Sequence, residues 1–255
     1  MQKLVSIITP TFNSDKFVQA TILSVQNQTY KNWELILIDD CSTDSTFEIL
    51  KRLSAMDSRL KLFRLSTNSG TGVARDFALS KCSGNYIAFL DADDIWKPKK
   101  LEIQLAWMQE HRLNFTFSFY DLMDENGFDL KKTITAPKIL SYRQLFFCNF
   151  VGNLTAVYNA DFFGKIPISP TRKRQDWMLW LTILKQIQVA KPVPESLAIY
   201  RVRQNSISAS KTNLLKYNYA VYKKFHGFTT LKSALCLIGF LFTQMIIKPF
   251  YTQKS

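Results

Sequence analysis

Asp91 and Asp93 stand two residues apart where the apolar run Tyr86-Ile87-Ala88-Phe89-Leu90 ends, and Asp94 follows directly. The run reads as a buried strand whose C-terminal end opens into a polar site. Carboxylates two apart can turn toward one point where a strand frays. Hard divalent cations such as Mg2+ or Mn2+ prefer carboxylate oxygen. A cation held there can hold a diphosphate, and it relieves the repulsion among three neighbouring acids. The competing use of these residues is an Asp-rich turn capping the helix from Lys99, which needs only one carboxylate.

The elements that would position this pair alternate along the first part of the chain. Leu4 to Thr9 reads as a strand broken by Pro10-Thr11-Phe12-Asn13, and Asp15 to Gln28 as a helix. Trp33 to Ile38 is a second strand ending at Asp39-Asp40, and Ser42-Thr43-Asp44 supplies an N-cap for a helix through Leu53. Leu60 to Leu65 is a third strand, Asn68-Ser69-Gly70-Thr71-Gly72 a loop, and Val73 to Lys81 a helix leading to the Tyr86 strand. This alternation implies an α/β fold with βαβ units, a parallel sheet and right-handed crossovers. Such sheets bind ligands at the carboxyl ends of their strands. Pro10–Asn13, Asp39-Asp40, 68–72 and Asp91–Asp93 all fall at those ends. Each has a purely structural counterpart, a helix cap or an ordinary turn, but four polar clusters on one edge outweigh any one of them. The 70–72 loop lacks both a third spaced glycine and the lysine of a phosphate loop, which argues against dinucleotide binding and phosphate-loop chemistry.

The chain has 255 residues, 47% of them hydrophobic, enough for one sizeable domain with an appendage. Four cysteines without a CxxC pair, and no secretory leader before Val5, imply reduced thiols in a cytoplasm; His111 and His226 offer no metal cluster. The net charge of +13 is uneven. No Asp or Glu follows Glu195, while nine of the 33 Lys and Arg fall in the last 60 residues. That asymmetry suggests an anionic surface as partner.

Taken together, the segments SIITPTFN, LILIDDCSTDST, NSGTGVARD and YIAFLDADD resemble the nucleotide-binding half of glycosyltransferase family 2, inverting enzymes of the GT-A fold. The match is close over about residues 4 to 97. The resemblance implies a Rossmann-like, mostly parallel sheet flanked by helices, a nucleotide-sugar donor (a UDP-sugar being expected) and Mn2+ or Mg2+ on a DxD motif. By position, Pro10, Thr11, Phe12 and Asn13 would line the nucleotide pocket. Asp40 would accept from the base with Asp39 as its support, and Asn68 and Arg75 would close the pocket. Asp91 would face the ribose and metal, and Asp93 would be the main protein ligand of the metal.

Beyond Pro98 the matching is looser. Leu101, Leu105 and Met108 share a helical face; strands are expected at 115–119 and 154–158, and a short helix at 141–147. Leu179, Trp180, Ile183 and Ile187 give an apolar helical face with Asp176 at its start. The segment resembles the family motif in which such an acid is the catalytic base; the alternative is an acid favoured by the helix dipole. Tyr200 to Ser208 resembles a segment of polymer-synthesising members, of teichuronic-acid and capsule type. Many of those carry a His near Arg203, and Arg201 or Arg203 would contact the diphosphate or balance nearby acids.

The tail places Leu214, Tyr217, Val221, Tyr222 and Phe225 at helical spacing among lysines. A 15-residue uncharged apolar run, 233–247, then lies between Lys232 and Lys248. As a helix that run spans about 22 Å, short of a roughly 30 Å hydrocarbon core. A helix lying in the membrane interface is therefore expected, with its lysines on anionic headgroups, ahead of one packed on the domain or a tilted span. The tail lacks a nucleic-acid-binding motif.

The expected organisation is a nucleotide-sugar-binding half at 1–97, an acceptor-binding half at 98–209 and a helical membrane-associating tail at 210–255. The expected protein is a cytoplasmic enzyme, peripheral on the inner face of the plasma membrane. It would move a sugar to a hydroxyl of a glycan or lipid-linked acceptor in bacterial surface polysaccharide synthesis. The rivals are a catalytically inactive nucleotide-sugar-binding or scaffold protein and a sugar-phosphate nucleotidyltransferase.

Overall fold

A computed structural model describes residues 2–203 and 211–254. The first part alternates as expected: β1 (Val5–Thr11), α1 (Val18–Gln26), β2 (Trp33–Asp39), α2 (Thr46–Met56), β3 (Leu60–Arg64), α3 (Thr71–Lys81) and β4 (Tyr86–Phe89). Then come β5 (Ile95–Trp96), α4 (Lys100–Glu110), β6 (Phe115–Thr116), β7 (Ser118–Met123) and β8 (Asp129–Ile134). They are followed by β9 (Leu140–Ser141), α5 (Tyr142–Phe147), β10 (Val157–Asn159), α6 (Ala160–Phe163), α7 (Gln175–Ile187), β11 (Val189–Ala190) and β12 (Val193–Arg201). The tail holds α8 (Lys211–Ala220), α9 (Thr230–Phe242) and a terminal strand β13 (Thr252–Lys254).

The main sheet has the order β3-β2-β1-β4-β10-β6. Its first four strands are parallel, and β10 enters antiparallel to β4 and β6. Strands from either side of residue 97 therefore share this sheet, while the boundary at 209/210 lies outside the described residues. The parallel strands are apolar without alternation because both faces are covered. Ile8, Ile36, Ile38, Ile87 and Phe89 enter one core, and Val5, Ile7, Leu35, Leu37 and Ala88 the other. The chain passes from β1 outward to β2 and β3, then returns to the far side of β1 as β4. The switch point, where such sheets bind ligands, thus lies between the carboxyl ends of β1 and β4.

A second sheet, β13-β8-β7-β12-β5, stands beside it. The strand expected at 115–119 is split between the two sheets, so β6 and β7 diverge at Phe117. The strand expected at 154–158 begins as a turn of 3-10 helix, Asn153–Thr155. Capping of α2 falls to Asp44, whose Oδ1 accepts the Thr46 backbone N–H at 2.9 Å.

The tail is joined to the body at several points. Val221, Tyr222 and Phe240 are buried in the main core; the Phe240 ring lies 5.1 Å from that of Trp177 and Tyr222 5.9 Å from it. Helical structure runs on past α9, through a π turn and a 3-10 turn, to Tyr251. This 22-residue stretch is by length and composition able to cross a membrane, and only 11% of its most apolar 18-residue window is buried. It is thus longer than the 15-residue run in the sequence suggested. Its end is anchored, since Thr252–Lys254 pairs antiparallel with Lys132–Ile134 of β8. Its outer face leaves Leu231, Leu235, Ile238, Phe242, Met245 and Phe250 at least 60% exposed.

Candidate active site

One open cavity of about 570 Å³ lies at the carboxyl ends of β1 and β4. Of the residues singled out in the sequence, Pro10, Thr11, Phe12, Asn13, Asp40, Arg75, Asp91, Asp93 and Asp176 line it. Asp39 and Asn68 do not: Asp39 is fully buried below and Asn68 is exposed outside the lining.

The β1 end is held in shape by the β2 end. Asn13 has a positive φ of 46°, a conformation asparagine tolerates better than most residues. Its Oδ1 accepts the Thr43 N–H at 2.9 Å, and its own N–H donates to Ser42 Oγ at 3.1 Å. Asp39 pairs with Arg64 at 3.1 Å and accepts the Ser42 N–H at 3.2 Å. Asp40 accepts the Ser69 and Gly70 N–H groups at 2.7 and 2.8 Å, which orders the loop entering α3. That loop also meets the far side of the cavity. A Cβ at Gly72 would stand 2.5 Å from the Ser169 carbonyl and 2.6 Å from that of Thr171, so only glycine lets α3 approach the segment leading into α7.

At the β4 end three carboxylates crowd together. Asp91 is paired with Arg75 and also accepts from Asn153 Nδ2 at 3.2 Å. Asp93 pairs with Arg203 Nη1 at 3.0 Å, and the Arg203 guanidinium lies over the Phe17 ring at 4.7 Å. Arg201 stays behind them: its N–H donates to Asp94 Oδ1 and its Nε to the Asp93 carbonyl, both at 2.9 Å. Burial, and then the charge of Asp91, push the Asp93 carboxyl above the ordinary carboxylate range, against the pull of Arg203. Burial, then Asp93 and Asp91, push Asp94 well up. The remainder of the Tyr200–Ser208 segment, from Gln204 onward, lies outside the described residues.

Asp176 occupies the first turn of α7 and accepts from Asn149 Nδ2 at 3.0 Å. Asn149 is oriented by Val151, whose N–H donates to its Oδ1 at 3.1 Å. The residue before the helix, Arg174, sits in the left-handed region at φ 69° and donates from Nε to Asn218 Oδ1 at 2.6 Å. Lys248, expected to face lipid headgroups, instead turns inward and donates to the Asn149 carbonyl at 3.0 Å. Asn149, Asn153 and Arg174 thus complete the cavity without having been singled out in the sequence, and Lys248 enters it from a position read there only as flanking the apolar run. Among the described residues no group of three or more His, Cys, Asp or Glu is arranged to hold a metal ion.

The description Glycosyl transferase family 2 matches residues 6–164. A Bacillus subtilis (strain 168) protein assigned to teichuronic acid biosynthesis, the glycosyltransferase TuaG, is 39% identical over 93% of this chain and 94% of its own length. An Escherichia coli UDP-Glc:alpha-D-GlcNAc-diphosphoundecaprenol beta-1,3-glucosyltransferase, WfgD, is 36% identical over 96% of this chain and 93% of its own. Among solved structures, residues 1–349 of S. aureus TarS in complex with UDP-GlcNAc superpose with a TM-score of 0.71 at 18% identity, covering 96% of this chain and 74% of that one. A mannosyltransferase from Pyrobaculum calidifontis, PcManGT, in complex with GDP-Man and Mn2+ gives 0.66 at 15% identity, covering 97% and 71%. These similarities are of fold: the chain shares the α/β GT-A architecture.

Proposed function

The chain belongs to glycosyltransferase family 2, and from that premise we propose an inverting, metal-dependent transferase. It takes a sugar from a UDP-sugar to a hydroxyl of a lipid-linked glycan at the inner face of the plasma membrane. The observation that carries this reading is that Asp176 and the pair Asp91 and Asp93 open into one cavity. The relatives' UDP-glucose donor and diphosphoundecaprenol acceptor support the choice of substrate classes.

The carboxylate of Asp176, held by Asn149, takes the proton of the acceptor hydroxyl. The acceptor oxygen bonds to the anomeric carbon on the face opposite the leaving group. The bond from that carbon to the diphosphate oxygen breaks, and the nucleoside diphosphate leaves with the electron pair. Pro10–Asn13 and Asp40 bound the nucleotide end of the cavity, with Asp39 supporting them from below. Asn68 is assigned to the outer rim on the family pattern.

Asp91 and Asp93 suit a Mg2+ or Mn2+ ion. Their side chains keep 31% and 24% exposure, and the crowding of three acids there favours a cation. Two carboxylates suffice, because such ions take their remaining oxygens from phosphates and water. A bound ion would neutralise charge on the departing diphosphate. Arg75 and Arg203 are the protein's own counter-charges to these carboxylates.

Turnover of a nucleotide-sugar panel with Mn2+ or with chelator tests the reading. Asp93→Ala is expected to abolish transfer and to weaken metal-dependent donor binding while the fold persists. Near-normal activity of that variant in chelator would remove the metal from the mechanism. Tight donor binding without transfer to any acceptor would favour a scaffold protein.

The exposed apolar face of the tail, and the exposed Lys216, Lys223, Lys224 and Lys232, support a peripheral seat on anionic lipid. The helix lies along the membrane rather than through it. Its inner face is occupied by Phe240 in the core, by Lys248 in the cavity and by the strand that follows it.

A further inference from the structure

The cavity has a second charged region that the transfer chemistry does not use. Arg174 and Lys248 both line it, and among the described residues neither forms an ion pair. Among the described residues their hydrogen bonds go to neutral oxygens, the Asn218 side chain and the Asn149 carbonyl. Among the described residues, Asp176 is the carboxylate whose charge acts on both. Burial holds both cations below their ordinary pKa values, so an anion arriving there would favour their charged forms. By contrast, the cations over the DxD carboxylates, Arg75 and Arg203, are already paired.

The position of Lys248 in the chain says what kind of anion. It lies in the same helical stretch as the exposed Phe242, Met245 and Phe250, and its neighbour Ile247 is 40% exposed. A phosphate held by its ammonium would have apolar surface for a hydrocarbon chain within a turn of helix. Toward the interior, the Asn149 that accepts from Lys248 also holds Asp176. From outside inward the order is apolar face, cation, proposed base. Building on the transferase reading above, we propose that Lys248 and Arg174 form the subsite for the diphosphate of a polyprenyl-diphosphate-linked acceptor, setting its sugar beside Asp176.

Binding tests this without knowledge of the acceptor sugar. UDP with Mn2+ is kept saturating so that the donor's own diphosphate site is filled, and farnesyl diphosphate and farnesol are titrated against the full chain. Wild type is expected to bind farnesyl diphosphate at least about ten-fold more tightly than farnesol, the scale of a charged hydrogen bond. Lys248→Gln and Arg174→Gln should each erase about ten-fold of that preference, and Lys248→Arg should restore it. The preference is a ratio within one sample, so partial unfolding of a variant does not obscure it. Three outcomes overturn the subsite: no preference in wild type, a preference that survives both substitutions, or a loss in Lys248→Gln of UDP affinity instead. A fourth is loss of phosphatidylglycerol-vesicle binding in Lys248→Gln with the farnesyl diphosphate preference intact, which would return Lys248 to the headgroups. Failure of the transferase reading shows separately, as absence of turnover across the nucleotide-sugar panel.

Discussion

On the mechanism proposed above, the Asp176 carboxylate separates catalysis from mere assembly. Asp176→Asn keeps the size of the side chain and an oxygen that can accept from Asn149, but it cannot take a proton. Transfer should fall by about 10²–10⁴, the range for loss of a general base, with donor affinity nearly unchanged. Steady-state kinetics beside a melting curve check this; a lowered melting point with turnover per folded molecule preserved would leave Asp176 a helix-end residue only. Asp57 illustrates the opposite case, a charge that works for stability. Its carboxylate accepts from Arg59 Nε at 3.0 Å, from Arg59 Nη2 at 2.8 Å and from Gln26 Nε2 at 3.0 Å, joining the end of α1 to the connection between α2 and β3. The Arg59 hydrogen bonds hold its carboxyl well below the ordinary value of 3.8. Because the folded value is depressed, the stabilisation is present above about pH 4 and is lost as pH falls toward the folded value. Asp57→Asn is therefore expected to melt a few degrees lower than wild type at pH 7, with the gap narrowing below pH 4, as calorimetry across pH would register.

At the scale of elements, α9 is two-sided. Phe240, 2% exposed, packs on Trp177, so Phe240→Ala should cost about 3–5 kcal/mol by opening a cavity beside α7. Leu235→Ser on the outer face, where Leu235 is 61% exposed, should stay within about 0.5 kcal/mol. Chemical denaturation of the two variants compares them directly, and equal losses would mean that α9 has no inner face. The contrast shows what was legible beforehand. Contiguous apolar runs ending in Asp or Asn announce β1, β2 and β4 because a parallel strand is buried on both faces. The polar residues at those ends need only local chain to reach the cavity. Asn149 and Asn153 reach it from the segment between α5 and β10, set in place by the antiparallel entry of β10, a pairing between distant segments that no local pattern encodes. Lys248 is ambiguous for a different reason. A lysine flanking an apolar helix serves headgroups or an interior anion, and which it serves depends on the rotation of the helix against the body. Gly72 carried its information as a missing side chain, readable only once Ser169 and Thr171 lie against it.

For the whole molecule, the question is how a body whose site is an open cavity would meet the lipid-linked acceptor proposed above. Charge and apolar surface fall on one side of the chain's history: no acid follows Glu195, and the exposed apolar ridge of the tail follows exposed lysines. Each basic residue near an anionic surface adds about 1 kcal/mol of attraction, and apolar area entering the interface adds roughly 25 cal/mol per Å². Attraction of the first kind is screened by salt and that of the second is not. Full-length protein should therefore float with vesicles containing phosphatidylglycerol and bind weakly to purely zwitterionic ones. Raising the salt should weaken the association without abolishing it. Replacing Leu235, Phe242 and Phe250 together by Ser should remove the salt-resistant part while leaving UDP binding in place, since none of the three lines the cavity. A crossing helix makes a different demand, because it would have to withdraw Phe240 from Trp177 and unpair β13 from β8. Protein in native membranes that resists both high salt and carbonate would mean that those contacts are given up and the helix spans. Release by carbonate would mean that the tail stays docked along its inner face, with Lys248 kept at the mouth of the cavity.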